Sequence, residues 1–227
     1  MTPFIRTVWL VTRKDLLIEL RSREILLTTV FFALSCVLVF AFGFVRDGRA
    51  IEDAAAGILW IAIAFSGTLA LGRAFERERQ GDTLRALMMA PVERPALYVG
   101  KLAGVLVLLA AVEALIVPLV ALMFQAPLFA HPVLMAGLLA TGTIGFAAVG
   151  TLFAAMLVRT RSRDVLLPVI LYPMTVPVII AGVRGTAALL QADADLPMAR
   201  AWLSMLVCFD VAFITLALWT FEPVMAD

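Results

Sequence analysis

Charged side chains are scarce in this sequence. Asp, Glu, Lys and Arg make up 15% of its 227 residues, whereas hydrophobic residues make up 63%. A chain of this length could not bury so much apolar surface in one water-soluble core, so the composition predicts an integral membrane protein. The net charge of +1 argues against nucleic acid as a partner, because phosphate binding needs a concentrated basic surface.

Cysteine and histidine are also scarce. Cys36 and Cys208 lie inside apolar runs, which favours buried thiols over a disulfide or a ligand role. The single histidine, His131, precedes Pro132 between two apolar runs and lacks the companion ligands of a metal or haem motif. We therefore expect His131 to be an interfacial loop residue.

Catalytic and nucleotide-binding motifs are missing. The sequence contains no GxxxxGK[ST], HExxH, GxSxG or CxxC pattern. A membrane enzyme acting on lipids would need an acid cluster, or a nucleophile with a base, and neither is found. We predict a non-catalytic chain, and any nucleotide that drives it must be bound by another chain. A structural scaffold is a further alternative.

Long apolar runs are what the sequence has in abundance. Six of them are each about as long as the roughly 20 residues that cross the hydrocarbon layer. The alternation of a membrane barrel is absent, so the runs predict helices. The expected fold is an all-α integral membrane protein with one transmembrane permease domain over residues 1–227, with spans near 25–45, 54–72, 102–124, 133–158, 165–183 and 201–221.

Basic residues predict the orientation of these spans. Fourteen of the eighteen Lys and Arg residues lie in segments 1–24, 73–101 and 159–164. Lys and Arg accumulate in cytoplasmic loops, so we expect both termini to be cytoplasmic. Segment 1–24 combines an apolar stripe with a basic remainder, which predicts an interfacial helix along the membrane surface rather than a cleavable signal peptide. An ordinary charged tail is the alternative.

Residues 73–101 form the longest charged interruption. Residues 75–80 look like the charged end of a helix, and Gly81 with Asp82 breaks it and offers an N-cap. Residues 83–90 then predict a short amphipathic helix that ends before Pro91. Such a helix suits docking into a groove of another protein. A solvated loop that only sets topology is the alternative.

Two acidic residues interrupt the apolar runs, Glu113 in the third and Asp210 in the sixth. A carboxylate near the bilayer centre costs on the order of 3 kcal/mol, so each should face protein or water, or be protonated. One interpretation is a proton or substrate relay. The other is a neutral carboxyl group that hydrogen-bonds Thr141, Thr143, Ser204 or a backbone carbonyl.

Prolines and small residues give two of the runs a distinct character. The fifth run should be kinked or broken, because each proline removes a backbone donor and clashes with the preceding turn; its prolines are Pro168, Pro173 and Pro177. Residues 186–195 after it predict a short outer helix or a loop. The fourth run carries small residues at helical spacing that would allow close packing: Thr143, Ala147, Gly150 and Ala154. Gly100 and Gly104 form a small GxxxG at the start of the third run.

Taken together, the surface helix, six spans and the run FERERQGDTLRALMMAPVERPALYVGK resemble the permease subunit of an ABC-2 type transporter. The proline-rich segment LPVILYPMTVPVII narrows the resemblance to the cytochrome c maturation protein B family, also called haem exporter protein B. Length and span order are similar over essentially the whole chain.

The resemblance implies a bacterial inner-membrane subunit, expected as a homodimer, that pairs with a cytoplasmic ATPase and a haem-handling membrane subunit. Together they would supply haem to a periplasmic haem chaperone. It also implies an ATPase-docking segment, a coupling helix with its flanking charges: Glu76, Arg77, Glu78, Asp82, Thr83, Leu84, Arg85, Leu87 and Met88.

We expect haem and ATP to be handled by partner subunits and this chain to bind no cofactor. The alternative is an ABC-2 exporter of a lipid, polysaccharide or drug, with a cavity lined by Glu113, Asp210 and Tyr172.

Overall fold

The computed structural model describes residues 3–43, 45–46, 49–50, 54–80, 93–158, 160 and 162–224. Within these ranges the chain forms seven helices and one minimal hairpin. The helices are α1 (Pro3–Ser22), α2 (Glu24–Gly43), α3 (Ala55–Gln80), α4 (Arg94–Phe124), α5 (Pro132–Met156), α6 (Arg163–Leu190) and α7 (Leu196–Val224). Between α2 and α3, strands β1 (Val45–Arg46) and β2 (Arg49–Ala50) pair antiparallel, with Val45 opposite Ala50.

Helices α2 to α7 confirm the predicted all-α membrane fold, because each contains an apolar stretch long enough to cross a bilayer. Several helices extend well beyond the predicted spans, among them α3, which continues to Gln80 rather than ending at residue 72. Helix α4 begins at Arg94 rather than at residue 102, and α6 continues to Leu190 rather than ending at 183. Hydropathy detects only the apolar part of a helix, whereas backbone hydrogen bonding continues into the polar region.

Helix α6 is continuous through its prolines. Pro168, Pro173 and Pro177 all lie inside one uninterrupted helix, so the expectation of a broken fifth span is wrong, while a kink stays a prediction. Membrane helices tolerate proline because neighbouring groups and small local adjustments satisfy the freed carbonyls. The helix also extends into the segment for which a separate outer helix or loop was expected, and it ends at Leu190.

A one-residue corner joins α1 to α2. Arg23 adopts a left-handed conformation with φ of 53°, and its amide donates to the Glu19 carbonyl. The Glu19 side chain then accepts a hydrogen bond of 2.8 Å from the amide of Leu26, in the first turn of α2. First-turn amides have no partner within their own helix, so Glu19 caps α2 and links its direction to that of α1.

The centre of the bundle is built around Trp60 of α3. Its side chain is only 2% exposed, and its indole nitrogen donates a 3.0 Å hydrogen bond to Thr186 of α6. A β-carbon at Gly142 of α5 or at Gly182 of α6 would collide with the Trp60 ring. These two glycines therefore let α5 and α6 approach α3 closely enough to enclose the indole.

The same kind of contact repeats along α3 and α5. Phe146 of α5 fills the space above Gly67 of α3, and Leu71 of α3 fills the space above Gly150 of α5. The small residues predicted to form a packing stripe on α5 are all buried, including Gly150. Large and small side chains thus alternate between the two helices, which run in the same direction.

The glycine contacts predict that Gly182→Ala destabilises the protein. The new methyl group must displace the Trp60 ring, and overpacking of this kind costs about 1–3 kcal/mol. The measurement is the free energy of unfolding in mixed micelles, followed by circular dichroism during titration with a denaturing detergent.

Gly57→Ala is the matched control, because nothing lies within 4 Å of a β-carbon at Gly57. Its effect should be neutral or stabilising by up to about 1 kcal/mol, from helix propensity alone. Adding Trp60→Leu to Gly182→Ala should cost less than the sum of the two single changes. Equal losses for Gly182→Ala and Gly57→Ala would contradict the enclosure of Trp60.

Candidate functional site at the basic end of the bundle

Most of the long-range polar contacts described below gather at one end of the helix bundle. The start of α2, the C-terminal part of α3, the start of α4 and the start of α6 meet there, and α1 packs beside them. We call this the basic end, because the three segments richest in Lys and Arg belong to it. Helices α3 and α4 are the two stems that flank the predicted coupling segment.

The predicted ATPase-docking residues fall at the limit of the described structure. Glu76, Arg77 and Glu78 lie in the last turns of α3, and their side chains are outside the described part. The remaining members of the set lie outside the described residues altogether: Asp82, Thr83, Leu84, Arg85, Leu87 and Met88. Their role and the coupling helix itself stay predictions.

The α3 stem is held by a buried arginine of α6. Arg163 is 2% exposed, and its guanidinium donates hydrogen bonds of 3.2 Å and 2.7 Å to the carbonyls of Leu71 and Gly72. Carbonyl oxygens have two lone pairs, so these can accept a side-chain donor in addition to the helical bond. A second contact joins Arg73 to Glu24 at the start of α2, at 3.5 Å. The α3 stem is therefore tied to both α6 and α2.

The α4 stem is held by a buried tyrosine. Tyr98 is fully buried, and its hydroxyl donates a 2.9 Å hydrogen bond to the carbonyl of Ala148 in α5. Its ring packs against Phe221 of α7, with the centroids 5.4 Å apart. Both partners belong to helices distant in sequence, so the α4 stem is tied to α5 and α7.

Helix α1 is seated on the same stem. Thr12 donates a 3.0 Å hydrogen bond to the carbonyl of Gly100, and a β-carbon at Gly100 would lie 2.8 Å from that of Val11. Lys101, largely buried, forms a 2.7 Å ion pair with Asp15. The small GxxxG at residues 100–104 thus accommodates α1.

Large apolar side chains of α1 face outward, which suits a membrane interface: Ile5, Trp9, Leu10, Leu17, Ile18 and Leu20.

The two intramembrane acids contact different residues of α5. Thr143 of α5 donates a short hydrogen bond to Glu113 of α4, and Thr143 is one of the hydroxyl residues that the sequence suggested. Asp210 of α7 is 7% exposed, and within the described residues its Oδ1 atom has no hydrogen-bond partner. That atom lies 2.6 Å from where a β-carbon at Gly145 would be.

Tyr172, suggested with the two acids to line a cavity in a generic exporter, has aromatic and hydroxyl partners of its own. Tyr172 packs on Phe65, with ring centroids 5.7 Å apart, and its hydroxyl lies 3.3 Å from that of Thr68. Glu113 contacts Thr143 instead. Among the described residues, no hydrogen bond or ring contact joins Tyr172 to Glu113 or Asp210, and the cavity itself stays a prediction.

The two cysteines are free, as expected, although Cys208 is exposed on α7 rather than buried. Helix α7 contributes fewer buried residues to the bundle than the other spans, which is why an apolar run did not ensure burial there. His131 lies directly before α5, where its carbonyl accepts a hydrogen bond from Met135.

The sequence-based reasoning missed Arg163, Tyr98 and Lys101 as organising residues. Each was visible as a polar residue beside or at the start of an apolar run, which is a signal that a partner is required. Their partners are separated from them by about 50 to 90 residues, so the pattern alone did not identify the contacts.

The hydrogen bonds and ion pairs at the basic end join one helix to another. Among the described residues they do not assemble a nucleophile with a base or a cluster of acids. The arrangement defines a multi-pass helical membrane protein with a cross-braced basic end, the class to which transporter membrane subunits belong. Residues 6–225 match the family described as CcmB protein, so the chain belongs to that family and the predicted resemblance is confirmed.

Curated relatives agree with this membership. Heme exporter protein B of Paracoccus denitrificans is 31% identical over 159 residues, which cover 70% of this chain and 72% of the relative. The protein of the same name from Pseudomonas aeruginosa is 26% identical over 182 residues, covering 80% and 81%. The one from Escherichia coli K12 is 28% identical over 93 residues, covering 41% and 42%.

The seat of α1 predicts a specific disulfide. A β-carbon at Gly104 would lie 3.6 Å from that of Asp15, within the range that disulfides span. After Cys36 and Cys208 are replaced by serine, the pair Asp15→Cys and Gly104→Cys should therefore oxidise readily. The measurement is the loss of thiols that react with a maleimide-polyethylene glycol reagent, read as a gel shift.

The control pair is Leu10→Cys with Gly104→Cys, since Leu10 is 52% exposed and has no atom within 4 Å of a β-carbon at Gly104, among the described residues. It should keep both thiols reactive under the same oxidant. Equal protection of the two pairs, or none in either, would show that α1 is not seated on α4 in this register.

Proposed function

We propose that this chain is the transmembrane subunit of an ATP-binding-cassette complex for cytochrome c maturation. A separate ATPase hydrolyses ATP, and this chain passes the energy on for haem delivery to, or release of, a periplasmic haem chaperone. Membership of the CcmB family and the relatives named heme exporter protein B support the haem-related role. The chain itself is not an enzyme and binds neither haem nor ATP.

The coupling role is supported by the contacts that join both stems to the other helices. The α3 stem is tied to α6 and α2, and the α4 stem to α1, α5 and α7. A displacement of residues 81–92 between the stems would therefore reach all the other helices. Packed helices transmit displacement as rigid bodies, which is how domain movements are relayed.

The docking surface in this proposal is the segment between the stems. Leu84, Leu87 and Met88 insert into a cleft of the ATPase, and the charges of Glu76, Arg77, Glu78 and Arg85 select the partner and its register. Both termini and this segment are cytoplasmic, in the inner membrane of a bacterium, and two copies of the chain form the permease dimer. The positive-inside distribution supports this orientation.

We propose that this subunit transmits a displacement driven by ATP hydrolysis and does not itself carry haem. His131 is the only histidine, and it lies before α5 with no companion ligand in its segment. A haem-handling membrane partner therefore binds the haem. Saturable haem binding by the purified chain that disappears in His131→Ala would overturn this division of labour.

Docking of the ATPase can be tested by co-purification. Tagged wild-type chain purified gently from native membranes should bring an ATPase and a haem-handling membrane protein with it. Leu87→Asp should lose the ATPase, because a carboxylate cannot be buried in an apolar cleft without a large desolvation cost. The attached proteins are identified by mass spectrometry.

The control is Arg184→Gln, which changes an exposed residue of α6 outside the docking segment and should retain the ATPase. An ATPase that arrives without a haem-handling protein favours a generic exporter. If no ATPase accompanies the wild type, the permease role itself fails.

Transmission of displacement from the α3 stem to α6 can be tested at Arg163. Arg163→Gln removes the charged donor to the α3 carbonyls, so it should retain the bound ATPase but lower the yield of mature cytochrome c. Arg184→Gln makes the same change on an exposed residue near the other end of α6 and should leave both unchanged. Arg163→Lys, which keeps one cationic donor, should recover part of the yield. Normal maturation in Arg163→Gln would contradict the proposed transmission of displacement from the α3 stem to α6.

A further inference from the structure

A cleft opens between α2, α3 and α6 at the basic end, with a volume of about 530 Å³. Its walls combine aromatic rings with charged groups. The rings belong to Phe32, Phe65 and Tyr172, and the charged groups are Arg73 and Asp164. The proposed transmission pathway uses neither the rings nor Asp164.

The lining residues, together with Glu24, which contacts the lining residue Arg73, form two levels with the same spacing on all three helices. Phe65 contacts both Phe32 and Tyr172, with ring centroids 6.5 Å and 5.7 Å apart, so the three rings form one aromatic level. Each helix then carries a charged residue eight positions from its ring: Glu24 on α2, Arg73 on α3 and Asp164 on α6. Eight residues correspond to about 12 Å along a helix.

The charged level lies at the edge of the apolar spans. Glu24 is the first residue of its span, Arg73 is next to last in the span Ala55–Ala74, and Asp164 is second in the span Arg163–Leu190. The headgroup region of a bilayer begins where the hydrocarbon ends, so this level stands at headgroup depth. The aromatic level, about 12 Å deeper, stands among acyl chains.

The charges of this level determine which headgroup fits. Two carboxylates accompany one guanidinium, and Arg73 already contacts Glu24 at 3.5 Å. The side chain of Asp164 is exposed and forms no hydrogen bond or ion pair within the described residues, since its neighbour Arg163 is directed to the backbone of α3. A purely anionic headgroup would meet one attraction and two repulsions. A headgroup with a phosphate and an ammonium group satisfies both signs.

We propose that this cleft is a binding site for a phospholipid with an amine headgroup, such as phosphatidylethanolamine. The phosphate accepts hydrogen bonds from Arg73, and the ammonium group pairs with Asp164. One acyl chain lies against Phe32 and Phe65 and reaches the level of Tyr172. The lipid is a bound ligand of the permease wall and is independent of the proposed role in haem delivery.

The test uses the purified full-length chain and native mass spectrometry. The probes are phosphatidylethanolamine and phosphatidylglycerol with identical acyl chains, added separately and as an equal mixture. The wild type should retain phosphatidylethanolamine in preference, by a factor on the order of tenfold, since a charged hydrogen bond distinguishes the two. Equal retention of both lipids would overturn the proposal.

Two variants make the test independent of folding. Asp164→Lys should reverse the preference towards phosphatidylglycerol, because the cleft then presents two cations, and Arg73→Gln should weaken retention of both lipids. Arg184→Gln, near the far end of α6, is the matched control for the loss of an arginine and should behave as wild type. A reversal of preference cannot arise from destabilisation alone. An unchanged preference in Asp164→Lys would contradict the assignment of the ammonium group.

The same spectra distinguish the other possible occupants. A second copy of the chain in the cleft would give dimers that never carry lipid while monomers do. Haem added as a third probe should not displace the lipid, because its two carboxylates face the acids of the charged level. Either lipid-free dimers or displacement by haem would overturn the proposal.

Discussion

The close approach of α3 to α5 and α6 is the constraint on which the rest of the structure depends. Lipid offers helices no hydrophobic driving force for association, so they are held by packing and hydrogen bonds. Trp60 supplies both, because its ring is enclosed by two glycines and its nitrogen bonds Thr186. Fixing α3 in this position places Leu71 and Gly72 where Arg163 can reach their carbonyl groups.

The contacts between helices at the basic end follow from the requirement that buried charges have partners. A guanidinium or ammonium group removed from water must be paired or fully hydrogen-bonded. Arg163 is accommodated by backbone carbonyls and Lys101 by Asp15, so each charge selects one arrangement of two helices. The polar groups near the membrane boundary are therefore also the groups that join one helix to another.

Much of the fold was predictable from the sequence, because apolar runs longer than the bilayer core have few alternatives to helix. The six spans and the small-residue stripe on α5 follow from composition and spacing. The continuity of α6 did not follow, since the rule that proline breaks helices comes from helices in water. The charge partners did not follow either, because Arg163 and Leu71 are far apart in the sequence.

The candidate site was predictable only in outline. The charged interruption at 73–101 indicated where a partner would dock, and the GxxxG at Gly100 indicated a close contact without naming its partner. Thr143 was among the hydroxyls proposed for Glu113, because a buried carboxyl group limits its neighbours to a few polar residues. The amphipathic cleft was not foreseen, since it forms only where α2, α3 and α6, which are separated in the sequence, pack together.

The one-residue corner at Arg23 has a consequence for the order in which the protein is built. Helix α1 is synthesised before α4, so its ion-pair partner Lys101 is made only after two spans have followed α1. The left-handed Arg23 and the Glu19 cap involve only residues of α1, the corner and the start of α2, so these contacts do not require α4. We therefore expect α1 to be oriented relative to α2 before α4 is made. Lys101 of α4 can then pair with Asp15 without a reorientation of α1.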